Sequence, residues 1–207
     1  MTQKIGVIDY GTGNLRSVVK AFEHLGATVT ILRNPDLIEE EHALVFPGQG
    51  TFDQCVGALN QSGFDQAIKE WITQGRPYFG ICLGLQVLFE RSEEGSLPGL
   101  GIFGGEVKKF DLGEGYKIPH MGWNSVRWNL PEDNPMLKNL WDGDQFYFVH
   151  SYHVVDVEPG LATFTTDYKN TFTSGILSDR CLATQFHPEK SQVKGLQLYR
   201  NFLDKVS

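Results

Sequence analysis

Along the first hundred residues the apolar positions switch repeatedly between two spacings. Residues 4–10 (KIGVIDY) form a short β-branched run that stops at Gly11 and predicts a strand. Residues 15–25 put Leu15, Val18, Val19, Phe22 and Leu25 on one helical face and close at Gly26. A second strand is predicted over 27–33 (ATVTILR), and a short apolar run, 43–46, ends at Pro47-Gly48. Residues 64–75 read as a helix with Ile68, Trp71 and Ile72 on one side. Residues 77–82 (PYFGIC) read as a strand, and LGLQVLFERSEE after it as an apolar helix. Short strands separated by helices predict a parallel sheet.

From residue 105 onward the pattern changes. EVKKF, NSVRW, QFYFVHSYHVV, ATFTTDY, FTSGILSD and CLATQFHP are strand-like, with Gly, Asn, Asp and Pro between them. They predict hairpins and meanders rather than strand–helix–strand units. Residues 191–206 close the chain as a helix with Leu196, Tyr199, Phe202 and Leu203 on one face. The expectation is an α/β fold with a mixed sheet, in a single domain over residues 1–207.

Composition narrows the function classes. With 41% hydrophobic and 21% charged residues the chain is neither disordered nor fibrous. A net charge of -7 argues against a nucleic-acid binder, which needs a basic face. Cys55, Cys82 and Cys181 are odd in number and far apart, which fits neither a disulfide framework nor a zinc site. The N-terminal residues do not read as a signal peptide, and no apolar run reaches membrane-spanning length, so a cytoplasmic protein is expected.

Three stretches carry chemistry. Gly80-Ile81-Cys82-Leu83-Gly84 lies where a strand gives way to a helix, as in a nucleophile elbow with cysteine as the nucleophile. Small residues on either side suit a sharp turn with close backbone packing. The helix N-terminus favours the reactive thiolate, and the Leu83 N–H is placed to donate to an oxyanion. A lone cysteine would read as a core residue; the glycines around it change that reading. Gln185-Phe186-His187-Pro188-Glu189 supplies a base and an acid two positions apart, on one side of an extended segment. Proline at 188 biases His187 toward the extended region, and Glu189 is placed to hold one imidazole tautomer. Pro47-Gly48-Gln49-Gly50, after a strand, can present backbone N–H groups to a developing negative charge, although alone it would be an ordinary turn. His24 and His42 have surface-like contexts, and His120, His150 and His153 fall in separate runs, so no metal site is expected.

Together these stretches resemble the triad-type (class I) glutamine amidotransferases. The resemblance extends through IGVIDYGTGNLRSV, PGQG, GICLGLQVLFERSEEG, KIPHMGWN, FYFVHSYHV and TQFHPEKS. It is narrowest with the branch that serves imidazole glycerol phosphate synthesis in histidine biosynthesis. The resemblance implies a doubly wound, mixed, mainly parallel sheet flanked by helices. It implies Cys82 as nucleophile, His187 as general base and acid, and Glu189 as its orienter. The oxyanion hole would be built from backbone at Gln49, Gly50 and Leu83, and glutamine would be held by Gly50, Gln86, Glu94, Ser151 and Tyr152. It implies no cofactor. The partner it implies is a (β/α)8-barrel cyclase subunit in a heterodimer, touched by Asn14, His120, Met121, Trp123, Asn124 and Lys190. Where that family usually has PGVG this chain has Gln49; the role belongs to the peptide, so the side chain bears on how readily the turn reorients. Other biosynthetic glutaminase subunits and γ-glutamyl hydrolase-like cysteine hydrolases are the alternatives.

Overall fold

The computed structural model describes residues 2–11 and 15–206. Its first half is built from β1 (Lys4–Ile8), α1 (Arg16–His24), β2 (Thr28–Leu32), β3 (Ala43–Gly48), α2 (Phe52–Ser62), α3 (Phe64–Thr73), β4 (Tyr78–Cys82) and α4 (Leu83–Gln86). The second half adds β5 (Arg91–Ser92), β6 (Glu106–Lys109), β7 (His120–Ser125), β8 (Gln145–His150), β9 (Tyr152–Val155), β10 (Ala162–Tyr168), β11 (Asn170–Ser178), β12 (Cys181–Thr184) and α5 (Gln192–Val206).

The main sheet runs β2-β1-β3-β4-β12-β11-β9-β6-β5, with β10 paired to β11. The block from β2 to β12 is parallel, and β12, β11, β9 and β6 pair antiparallel. This is the expected mixed sheet, with β1 at the point where the strand order reverses. Side chains of the central strands alternate between two cores, as the two-residue pleat requires. Val45, Phe79 and Ile81 join α1 and α5 through Phe22, Tyr199 and Phe202. Leu44, Phe46 and Tyr78 join α2 and α3 through Phe52, Leu59, Phe64 and Trp71. Both faces of the sheet are covered, so the middle strands read as unbroken apolar runs. Each such fully buried side chain contributes roughly 1.5–3 kcal/mol. β7 and β8 form a separate antiparallel ribbon, with His120 opposite His150 and Trp123 opposite Tyr147.

Four local departures from the sequence reading have physical causes. The apolar helix expected after Cys82 is a single turn. Val87, Leu88 and Phe89 are buried without an exposed face, and the carbonyls of residues 87–90 accept instead from N–H groups of residues 99–103. β3 continues through Pro47-Gly48, because its pairing to β1 ends at Val45 and no acceptor there needs a proline N–H. α2 was not anticipated; its signal was the capping box of Thr51 and Gln54. β7 begins at His120, whereas the strand-like pattern suggested NSVRW.

Candidate active site

Parallel strands share a direction, so the ends of β1, β3, β4 and β12 deliver their following residues to one edge of the sheet. Tyr10, Gln49, Cys82 and His187 all lie there, beside the strand-order reversal where open α/β sheets place their ligand sites. Cys82 ends β4 and caps α4 with φ 57° and ψ −108°, in a region that costs a non-glycine residue about 1–3 kcal/mol. The flanking glycines are required by backbone, not by side chains. A Cβ on Gly84 would sit 2.1 Å from the Phe46 carbonyl oxygen, and one on Gly80 would sit 2.2 Å from that of Gly84. β3 therefore packs directly against the elbow, and the Cys82 side chain is lifted to its half-buried position. The Leu83 N–H opens α4, where no intrahelical acceptor exists.

His187 is extended (φ −103°, ψ 95°), as its place before a proline predicts. Its backbone is clamped to the ribbon: the His187 N–H donates to the Tyr147 carbonyl at 2.9 Å, and Ser191 Oγ donates to the His187 carbonyl at 2.7 Å. Nδ1 meets Glu189 Oε1 at 2.8 Å, and the side chains of both residues are nearly inaccessible. The pairing arises differently from the expected pleat, because residues 188–190 form a 3-10 turn that folds Glu189 back under the ring. The Tyr199 hydroxyl holds the second carboxylate oxygen at 3.5 Å. The buried Nε2 completes no hydrogen bond of ordinary geometry, and the nearby Cys82 sulfur favours charge on the ring. Nucleophile–base contacts are often loose before substrate arrives. Burial opposes charge on His187, but Cys82 and Glu189 outweigh it and push the imidazole up to about 10. An imidazolium thus stands beside the Cys82 sulfur at neutral pH, placed to give its proton to a leaving group.

These groups can perform nucleophilic attack with proton shuttling. The model of the family "Glutamine amidotransferase class-I" matches residues 6–206. The chain belongs to the class I glutamine amidotransferases. Among curated relatives, the imidazole glycerol phosphate synthase subunit HisH of Acinetobacter baylyi is 46% identical over 203 residues, covering 97% of this chain and 98% of its own. The protein of the same description from Thermosynechococcus vestitus is 47% identical over 203 residues, covering 98% and 97%. The amidotransferase fold is shared with the solved structure of PurLQS from Thermotoga maritima (TM-score 0.79, 16% identity, 100% of both chains). It is also shared with a glutamine amidotransferase from Thermotoga maritima (TM-score 0.66, 15% identity, 100% of this chain and 98% of that one).

The remaining residues expected in an amidotransferase site divide by location. The Gln49 N–H donates to the Tyr10 hydroxyl at 2.5 Å, and that hydroxyl donates to the Gln49 carbonyl at 2.6 Å. In this conformation the peptide is committed to Tyr10, a residue the sequence reading passed over. Glu94 accepts the Phe52 N–H at 2.9 Å, which sets its carboxylate beside the turn that carries Gly50. Gln86 is buried, and its amide reaches the Tyr152 carbonyl at 3.1 Å; the neighbouring Ser151 carbonyl accepts the Phe110 N–H. Gln185 was not singled out from the sequence, although it opens the Q-F-H-P-E run; its Nε2 lies 3.6 Å from Cys82 Sγ.

Of the residues expected at a partner surface, Met121 (61% exposed) and Trp123 (45%) project from β7, and Lys190 lies over the Tyr147 ring. His120 is buried, stacked on Phe148 and Tyr168, and the Asn124 amide is spent on internal bonds, so neither presents a free side chain. Asn14 lies outside the described residues. The three histidines from separate runs do meet in space, around the Phe110 ring. His120 and His150 bond to each other, while His150 and His153 spend their Nδ1 atoms on backbone carbonyls.

The other two cysteines are inert by environment. Burial pushes Cys55 up to about 12 and raises Cys181 too. The thiolate is the reactive species, so groups raised this way stay protonated at neutral pH. Iodoacetamide should therefore modify the native chain once, at Cys82, and all three cysteines after unfolding; peptide mass spectrometry reads both outcomes. Native labelling at Cys55 or Cys181 would contradict this assignment.

Proposed function

We propose that this chain is the glutaminase subunit of an imidazole glycerol phosphate synthase, acting as one domain over residues 1–207. The observation that carries the reading is Cys82 in a positive-φ elbow, facing a buried His187–Glu189 pair. Its relatives, named as subunits of that synthase, supply the context.

Cys82 thiolate attacks the side-chain amide carbon of glutamine, and the carbonyl oxygen becomes an oxyanion that takes the Leu83 N–H. His187, protonated at Nε2, gives its proton to the leaving nitrogen, and the C–N bond breaks to leave ammonia and a thioester. Neutral Nε2 then takes a proton from water as the hydroxide attacks the thioester, which releases glutamate and the thiolate. Glu189 holds the ring by accepting from Nδ1–H. Gly50, Gln86, Glu94, Ser151 and Tyr152 hold the substrate, with the Glu94 carboxylate suited to its ammonium group.

Free ammonia is mostly protonated at neutral pH, so it must pass directly to an acceptor. The acceptor site belongs to a partner, a (β/α)8-barrel cyclase subunit bound in a cytoplasmic heterodimer, which makes imidazole glycerol phosphate and aminoimidazole carboxamide ribotide. The exposed ribbon face with Met121 and Trp123, next to Lys190, fits such a contact; a Trp there is a typical binding anchor.

Tyr10 now occupies the Gln49 N–H, so the oxyanion hole is completed only after that peptide reorients. The isolated chain should hydrolyse glutamine poorly, and activity should rise when the co-purified cyclase is loaded with its ribulosyl nucleotide. Ammonia release is the readout, with γ-glutamyl peptides as the competing substrate. Full activity without the partner, or preference for the peptides, would overturn the reading.

A further inference from the structure

Behind Cys82 runs a chain of polar groups whose direction is set by one backbone carbonyl, that of Tyr152. The Tyr152 carbonyl accepts from His150 Nδ1 at 2.8 Å and from Gln86 Nε2 at 3.1 Å. A carbonyl oxygen only accepts, so both nitrogens carry a proton toward it. A neutral His150 protonated at Nδ1 offers Nε2 as an acceptor. His120 Nδ1, 3.0 Å away, must then be the donor, and His120 Nε2 accepts from Asn124 Nδ2 at 3.3 Å. The Asn124 amide cannot be reversed: its nitrogen also donates to the Asp167 carbonyl, and its oxygen accepts the Ser125 N–H. Burial keeps both rings neutral, lowering His120 to about 4 and His150 well below the usual histidine range; His153 and His187 face His150 and also disfavour its charge.

The same logic runs toward the sulfur. One Gln86 N–H is taken by Tyr152, and the other donates to Gln185 Oε1 at 2.9 Å. With its oxygen so engaged, Gln185 turns its Nε2 to Cys82 Sγ, 3.6 Å away. Gln185 is fully buried and Gln86 nearly so, and water is therefore kept from competing for these bonds.

We propose that Gln185 is a further catalytic residue, donating an amide N–H to the Cys82 sulfur, and that Gln86, held by the Tyr152 carbonyl, is the positioning residue that dictates which end of that amide the sulfur meets. An N–H aimed at the sulfur favours thiolate over thiol; a reversed amide would aim a carbonyl oxygen at it and do the opposite. The inference rests on Cys82 as the nucleophile. The titratable groups that face Cys82 are His187, with Glu189 behind it, and Cys55 from α2.

The test is the rate of Cys82 alkylation by iodoacetamide across pH, in the full-length chain, with folding followed by thermal unfolding. In Gln185→Leu the reactivity midpoint should move up in pH and the rate at neutral pH should fall roughly tenfold, the loss of one hydrogen bond to a charged group. Gln185→Met, closer in shape to glutamine, should do the same and replaces the leucine variant if that one does not fold. Gln86→Met, which removes the donor to Gln185 Oε1, should shift the midpoint in the same direction. A wild-type midpoint in folded Gln185 variants overturns the donor role; a wild-type midpoint in folded Gln86→Met overturns the positioning role. Failure of the underlying reading looks different: alkylated wild-type chain, assayed with the nucleotide-loaded cyclase, would then keep its glutaminase activity.

Discussion

Replacing Cys82 with alanine is expected to abolish ammonia release from glutamine while the protein stays folded. The covalent route needs the sulfur, and neither His187 nor Glu189 can take its place at the elbow. Removal of a nucleophile in a triad lowers turnover by at least about a thousandfold, so activity should fall to background. Stability should behave otherwise. The side chain is half-buried, and its backbone sits at φ 57°, where only glycine is at ease. Cys82→Gly should relieve part of that strain and raise the unfolding free energy by up to about 1 kcal/mol. A strained residue whose removal stabilises the protein and abolishes activity is one kept for its chemistry. Measurable glutaminase turnover in Cys82→Ala would remove Cys82 from the mechanism.

The second large effect is structural. Gly84→Ala would place a methyl group 2.1 Å from the Phe46 carbonyl oxygen. That oxygen belongs to β3, held between β1 and β4, so it cannot yield without disturbing the middle of the sheet. A destabilisation of at least about 3 kcal/mol is expected, from overpacking against backbone. For a chain of this length that lowers the melting temperature by roughly 6–12 °C. Gly57→Ala is the control. It lies within α2, where the nearest atom to an added Cβ is 3.8 Å away, so alanine should stabilise it by roughly 0.5–1 kcal/mol. Thermal unfolding of the two variants side by side separates a packing requirement from a general intolerance of alanine. A Gly84→Ala protein as stable as wild type would mean that the elbow does not need the close approach of β3.

The parts of this protein that follow from local pattern were legible in its sequence. Short apolar runs and helical spacing placed β1, α1, β2, α3, β4 and α5, because each puts its apolar side chains where the sheet or the two cores can cover them. The glycines at 80 and 84 marked the elbow because only a residue without a Cβ fits against another backbone. Pro188 marked His187 as extended through a steric effect of adjacent residues. Where burial is complete the pattern lost its meaning. Val87, Leu88 and Phe89 are covered on all sides, and an apolar run of that kind fits a helix, a strand or a loop equally well.

What the tertiary structure alone decided are the relations between distant polar groups. Gln185 meets Cys82, the Tyr10 hydroxyl takes the Gln49 peptide, Tyr199 supports Glu189, and His120 and His150 join end to end. No spacing rule brings such pairs together. A hydrogen bond is set by distances and directions within a few tenths of an ångström, and those emerge only when separate strands are laid edge to edge. The sequence determined that a cysteine would stand at a strained turn with a base available; the folded sheet decided which atoms face the sulfur and from which end.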